Sequence, residues 1–337
     1  MKTIHVTEAI GSILGQDLTR VVPGQFKGVA FKKGHKIQPE DIPILLSMGK
    51  DHVYILELKA GDIHENDAAQ KLFQLVAGLN IADESASEGK VTLRSTCKGL
   101  LKINVEKLQQ INSLPGIAVS TLHTDTLVQE NELVARTKII PLAIPQTTLA
   151  AIQKICADGP IIQVMALPAK KVGLVITGNE VFYGRIPDKF EKVMKAKLAS
   201  LGSQVVKTIF TPDNPAEISA AIETLAQTND LVLVTGGMSV DPDDVTPLAI
   251  RQTGADVTVY GTPVSPGYMF LLARLKETPI LGIPACGMYH KITILDVLLP
   301  RILLNETITA ALIAAMGHGG LCLNCEICRY PHCNFCK

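Results

Sequence analysis

Residues 231–246 read LVLVTGGMSVDPDDVT, and this stretch decides the fold class. Leu231 to Val234 is a continuous apolar run with no polar alternation, the pattern of a strand buried on both faces. Thr235-Gly236-Gly237-Met238-Ser239 then breaks it, and Pro242 with three aspartates leads into a helix expected around Thr246–Gln252. A strand that runs through a glycine turn into a helix is half of a crossover unit, and such units need further parallel strands beside them.

Working outward, the same grammar recurs. Val172 to Ile176 is a second apolar run, ending in Thr177-Gly178-Asn179-Glu180. A helix follows it, started by Pro187-Asp188, with Phe190, Val193, Met194, Lys197, Leu198 and Leu201 on one side and Gly202 as its stop. Ser203–Phe210 reads as the next strand. Thr211-Pro212-Asp213-Asn214-Pro215 opens a helix with Ile218, Ile222 and Leu225 at helical spacing. Strands are expected at Val257–Tyr260 and Pro279–Ile283, and a closing helix at about Met288–Leu299. Alternating strands and helices predict an α/β unit, a sheet with helices on both faces.

The rest of the chain lacks this rhythm. Residues 1–58 read as a small α+β module, with turns at Pro23-Gly24, Gly28 and Lys33-Gly34, a helix at Glu40–Met48 and a strand at His52–Leu58. Residues 59–169 form a second α+β module. It has a helix opened by His64-Glu65-Asn66-Asp67, strands at Lys90–Leu93 and Leu100–Val105, and a helix at Glu106–Ile111. The His64, Glu65, Asp67 cluster is best read as a capping turn, since acids favour a helix N-terminus. The α/β unit takes residues 170–316 and a cysteine-rich tail 317–337. A chain of 337 residues is expected to hold more than one core.

Composition narrows the function. Lys plus Arg and Asp plus Glu are both 32, so no basic field points to nucleic acid, and 4% aromatics with no Trp gives little for base stacking. Mean hydropathy is +0.26, yet no uninterrupted apolar run of about 18 residues predicts a membrane span. The first twenty residues lack a signal pattern, so a cytoplasmic setting is expected.

In an open α/β sheet, ligands bind beyond the carboxyl ends of the strands. Glycines there let backbone N–H groups approach an anion. Glu180, Asp188, Asp213, Asp241, Asp243 and Asp244 fall on or just beyond the strand-end loops. Carboxylates beside an anion make sense when Mg²⁺ bridges them; singly, each is as readily a cap or turn former. The G-x-G-x-x-G fingerprint, the P-loop and the G-x-S-x-G elbow are all absent.

T-G-x-E followed by G-x-x-x-D, then T-G-G-M-S-V-D-x-x-D-x-T, resembles the molybdopterin-binding domain shared by molybdopterin adenylyltransferases and molybdopterin molybdenumtransferases. The resemblance covers about Lys171 to Leu304. Its first motif falls on Thr177, Gly178, Glu180, Gly184 and Asp188, its second on Thr235, Gly236, Gly237, Ser239, Asp244 and Thr246. It implies a three-layer α/β/α fold with a mostly parallel sheet, and a strand-end pocket for the pterin and its phosphate. It further implies Glu180 and Asp244 as the acids acting on Mg²⁺ or the transferred group, with Asp213 as a further acid. Pro266-Gly267-Tyr268-Met269 stands where the molybdenumtransferases have a P-G-K-P-like turn. Gly282-Ile283-Pro284-Ala285-Cys286-Gly287 stands where they have G-L-P-G-N-P, and their C-terminal β domain is replaced by the tail. Pro266, Gly267, Gly282 and Pro284 remain candidate cofactor contacts. The implied ligands are molybdopterin or its adenylated form, and molybdate. The implied roles are a Mg²⁺-dependent transferase of molybdenum cofactor biosynthesis or a non-catalytic carrier or sensor; a homo-oligomer is expected.

The tail carries Cys322, Cys325, Cys328, Cys333 and Cys336, spaced C-x2-C-x2-C-x4-C-x2-C. Paired knuckles of this kind supply thiolates to zinc or to an iron–sulfur cluster. The tail is too short to bury a core of its own, so a metal is expected to order it. Zinc is the favoured occupant, with Cys322, Cys325, Cys328 and Cys333 as ligands and Cys336 as alternate.

Overall fold

The structure is a computed structural model that describes residues 2–22, 26–56 and 60–337. The turn expected at Pro23-Gly24 and the end of the strand expected over His52–Leu58 lie outside these residues. Two compact units emerge: Met1–Thr96, Ile103–Leu122 and Glu130–Gln163 form the first, and Cys97–Lys102, His123–Gln129 and Val164–Lys337 the second.

The first unit is α+β. His52–Leu56 pairs antiparallel with Lys2–His5 and with Ile13–Leu14. Val6, Leu14, Ile37, Leu45 and Val53 gather into a small core there. The helix expected at Glu40–Met48 runs Asp41–Ser47. A four-stranded antiparallel sheet takes Ile117–Thr121, Leu133–Ile139, Lys90–Ser95 and Ile81–Asp83 in that order. The helix Glu65–Val76 begins as its sequence suggests: His64 is its N-cap, with Nδ1 accepting from the Asn66 N–H at 3.3 Å. His64 Nε2 also bonds the Gly34 carbonyl at 2.7 Å, and buried Glu65 pairs with Lys138 at 3.3 Å. These side chains have structural partners.

The second unit holds a six-stranded sheet. Its strands are β1 (Lys171–Thr177), β2 (Gln204–Thr211), β3 (Leu231–Thr235), β4 (Asp256–Tyr260), β5 (Leu271–Leu275) and β6 (Thr278–Ile283). Spatial order is β2-β1-β3-β6-β5-β4. The pairings β1 with β2, β1 with β3 and β3 with β6 are parallel; β5 runs antiparallel to both β6 and β4. Sequence reading missed β5. The sequence places a strand at Pro279–Ile283 and none over Leu271–Leu275; only Lys276 and Glu277 separate the two strands, which pair antiparallel.

The helices are α1 (Asn179–Phe182), α2 (Phe190–Ser200), α3 (Pro215–Ala226), α4 (Thr246–Gln252), α5 (Cys286–Tyr289), α6 (Ile294–Leu303) and α7 (Ala310–Ala315). Strand side chains alternate with period 2, and here both sets are apolar. Val172, Leu174, Ile176, Leu231, Leu233 and Leu281 pack against α2 and α6. Val175, Val232, Val234 and Ile280 pack against α3 and α4. Three layers follow, α/β/α. The helix expected over Met288–Leu299 is two helices, because Thr293 and Asp296 form a capping box. The Thr293 N–H donates to Asp296 Oδ2 at 2.7 Å, and the Leu295 N–H to Thr293 Oγ1 at 3.2 Å, which starts α6 afresh.

The tail docks on this unit. The Ser265 N–H donates to the Gly320 carbonyl and the Cys322 N–H to the Ser265 carbonyl, both at 2.8 Å. Phe335 is buried in the α2–α6 core, and the Tyr330 hydroxyl donates to the Asp296 carbonyl at 3.3 Å. Apolar docking is therefore part of what orders the tail, beside any metal.

Candidate functional site

Strand order fixes where a ligand can lie. From β1 the chain crosses outward to β2 and then returns to the other side of β1 to form β3. The carboxyl ends of β1 and β3 are thus a topological switch point, where diverging loops leave a crevice. Thr177–Glu180 leaves the end of β1 and Thr235–Ser239 the end of β3, so both motifs meet there.

The two turns are locked together closely. Gly236 has φ +91, and a Cβ on it would stand 2.3 Å from the Thr177 carbonyl oxygen and 2.6 Å from the Thr177 hydroxyl. Gly237 has φ +55, with Thr246 Oγ1 at 2.9 Å from a built Cβ. Only glycine serves both the left-handed backbone and the close approach. Buried Thr246 donates from Oγ1 to the Gly236 carbonyl at 2.9 Å, and its hydroxyl lies 3.3 Å from that of buried Thr177. Thr235, fully buried, donates weakly to the Val175 carbonyl at 3.4 Å. The Tyr260 hydroxyl donates to the carbonyls of Met238 at 2.9 Å and Ser239 at 3.3 Å, holding the second turn from below.

Acids from three loops share this neighbourhood. Asp213, after β2, accepts the Asn179 N–H at 2.9 Å, and its own N–H donates to Asn179 Oδ1 at 3.2 Å. Burial pushes the Asp213 carboxyl above its ordinary range. The charges of Glu180, Asp244 and Asp243 push the same way, and only the Asn179 N–H opposes them. Buried Thr211 ends β2 with a hydroxyl that has no hydrogen-bond partner. An orphaned buried hydroxyl and a half-buried carboxyl beside other carboxylates are both groups that a polar or cationic ligand would satisfy.

Other expected contacts have different surroundings. The Asp188 carboxylate accepts the N–H groups of Phe190 and Glu191, both at 2.9 Å, and so caps α2. Gly184 has φ +70 on an exposed turn, with open space where a Cβ would lie. Gly267 packs against Ile294, 2.6 Å from a built Cβ, and its carbonyl accepts from Thr262 at 3.1 Å. Gly282 lies beneath Met238, and Pro284 is buried at the end of β6. Asn179, Thr211 and Tyr260 were not singled out by sequence, and the only signal they carried was their position beside strand-end turns.

The metal expectations need correction in geometry. Among the described residues, no group of three or more His, Cys, Asp or Glu side chains is gathered closely enough to hold a single ion. Glu180, Asp213 and Asp244 are neighbours without converging on a point. Cys322, Cys325, Cys328, Cys333 and Cys336 do not form the compact tetrahedron that zinc requires. Cys325 and Cys328 are exposed. The Cys336 thiol is pushed up to about 11, first by burial and then by the charges of Cys322 and Cys333.

Residues 173–303, the span of this α/β unit, match the family profile described as a probable molybdopterin binding domain. This stretch belongs to the molybdopterin-binding domain family. Residues 3–57 match a domain of unknown function (DUF8806). The molybdopterin molybdenumtransferase of Haemophilus influenzae is 28% identical over 139 residues, covering 39% of this chain and 34% of that protein. A CinA-like protein of Geobacter metallireducens is 35% identical over 85 residues, or 25% of this chain and 21% of that protein. The chain thus spans a fifth to about a third of the length of these curated relatives. The molybdopterin biosynthesis MoeA protein of Pyrococcus horikosii, a solved structure, is 15% identical; the match covers 90% of this chain and 74% of that one, with a TM-score of 0.35. No described helix is long and apolar enough to cross a membrane. The molybdopterin-binding domain is also where both glycine turns and all six strand-end carboxylates lie.

Proposed function

We propose that the crevice between the ends of β1 and β3 binds molybdopterin, or its adenylated form, in molybdenum cofactor biosynthesis. The observation that carries this is the interlocked pair of turns, in which Gly236 sits on Thr177 and leaves no room for a Cβ. Backbone donors of Thr177–Glu180 and Thr235–Ser239 would hold the phosphate. Exposed Tyr183, just past Glu180, offers a ring face to a flat heterocycle. Mg²⁺ would be held by Glu180 and Asp244, with Asp213 behind them. When bound it would offset the repulsion that Asp213 records and draw charge from the transferred group. The reaction in this reading is transfer of molybdate to the bound pterin. A homo-oligomer and a cytoplasmic setting belong to the same reading.

A second reading is a non-catalytic carrier or sensor. It is favoured by Tyr268 standing where the family's turn carries lysine, and by Ala285-Cys286 standing in the other turn. In both readings the tail thiolates bind a metal centre, zinc or an iron–sulfur cluster.

The test is anaerobic purification of the full chain, identification of bound pterin by mass spectrometry, and turnover assays with molybdate and with ATP. Pterin with turnover supports the transferase, and pterin without turnover supports the carrier. A folded protein that neither retains nor takes up pterin overturns both. Asp244→Asn is expected to abolish Mg²⁺-dependent turnover while pterin still binds.

A further inference from the structure

Four of the five tail cysteines, Cys322, Cys325, Cys328 and Cys333, line a single cavity of about 830 Å³. Tyr289, the last residue of α5, and His290 to Ile292 after it also line the cavity. We propose that this cavity seats an iron–sulfur cluster of the cubane 4Fe–4S class, with those four thiolates as ligands and Cys336 outside the set.

The shape decides between the two metal chemistries. A zinc ion needs its sulfurs about 2.3 Å from one point, within one tetrahedron. Among the described residues no three such side chains converge in that way. A cubane cluster gives each thiolate its own iron, so its ligands surround a body instead of a point. Four thiols spread around one cavity match that demand.

The backbone shows how these four come to border one cavity. Residues 322–328 form neither helix nor strand, and Asn324, with φ +49, turns the chain between the first two cysteines. Three cysteines at C-x2-C-x2-C spacing then line the cavity, and Cys333, five residues beyond the third, lines it with them. Cys336 does not line the cavity; its N–H donates to the Gly319 carbonyl at 3.0 Å.

The walls are tied together by the chain's own bonds. The Ser265 and Cys322 bonds fix the start of the tail, and His290 Nδ1 lies 3.1 Å from Asn324 Oδ1 across the cavity. The charges also suit the ligand. A cluster held by four thiolates is anionic, and Lys291 and Arg329 line the cavity against the single acid Glu326. The exposure of Cys325 and Cys328 places one side of the cluster near solvent, so oxygen sensitivity follows.

The experiment uses the full chain, purified without air or reconstituted with ferrous iron and sulfide, and reads metal and sulfide content directly. It is independent of pterin binding. Expected are about four irons and four sulfides per chain, with a visible charge-transfer absorption that dithionite bleaches. Cys336→Ser should keep the full iron content. Cys328→Ser should lose most of it, while circular dichroism shows the α/β unit still folded. Four results overturn the proposal: about one zinc per chain with no iron uptake; about two irons; no metal at all; or loss of the cluster in Cys336→Ser. Should Cys328→Ser fail to fold, the wild-type stoichiometry and Cys336→Ser decide alone.

Discussion

Replacing Gly236 by alanine adds one methyl group at the point where the two strand-end turns touch. That methyl would stand 2.3 Å from the Thr177 carbonyl oxygen, whereas real Cβ atoms essentially never approach below 3.0 Å. The obstacle is backbone, so the turn after β3 has to retreat by more than half an ångström. Two costs add. Holding a non-glycine residue at positive φ costs about 1–2 kcal/mol. Overpacking a tight contact costs about 1–3 kcal/mol more. A total near 3 kcal/mol would lower Tm by about 6–12 °C in a domain of this size. Gly254→Ala separates the two terms, since Gly254 has φ +77 with nothing within 4 Å of a built Cβ. It should show the backbone cost alone. Retreat of the turn also opens the proposed site, so molybdopterin affinity should fall at least tenfold, about 1.4 kcal/mol. Calorimetry on wild type and both variants, with anaerobic pterin titration, measures each quantity. Equal Tm losses in Gly236→Ala and Gly254→Ala, with unchanged pterin affinity, would refute the reasoning.

Three further outcomes are expected. Asp213 has its carboxyl raised by burial and by neighbouring acids, so its ionisation opposes folding: stability is fully present below the unfolded value, about 3.9, and is lost as pH rises through the raised folded value. Asp213→Asn should therefore be more stable than wild type at neutral pH in metal-free buffer, and thermal melts should show that advantage vanishing at acid pH. Thr246→Val keeps shape but removes the buried hydroxyl bonded to the Gly236 carbonyl, and denaturant titration should show a loss of about 1–3 kcal/mol. Asp188→Ala deletes the two-bond cap of α2 and should cost about 1 kcal/mol in the same titration, while leaving pterin affinity within twofold of wild type.

The α/β unit was legible because its signals are local. The runs Val172–Ile176 and Leu231–Val234 are apolar at every position, and a strand covered on both faces needs no partner named to be recognised. Helix Thr246–Gln252 was read with its true ends, and both glycine turns stand at strand ends as expected. One element that depends on distant pairing, β5, was missed, and two separated by a subtle cap, α5 and α6, were read as one. Strand β5 is defined by its pairing with β4 and β6, and the Thr293–Asp296 box that divides α5 from α6 is weak against a long apolar pattern. The site divides in the same way. Position in the chain put six acids on strand-end loops and the family resemblance singled out Glu180, Asp213 and Asp244, but only the order β2-β1-β3 sets three loops at one crevice and pairs Asn179 with Asp213, 34 residues away. The cysteine spacing predicts a metal. Which four thiols face one cavity, and that Tyr330 and Phe335 bind the tail to the core, depends on residues far apart in sequence. Periodicity and turn chemistry act over a few residues and are written in the chain, whereas the meeting of loops is set by which strands become neighbours, and only the folded sheet decides that.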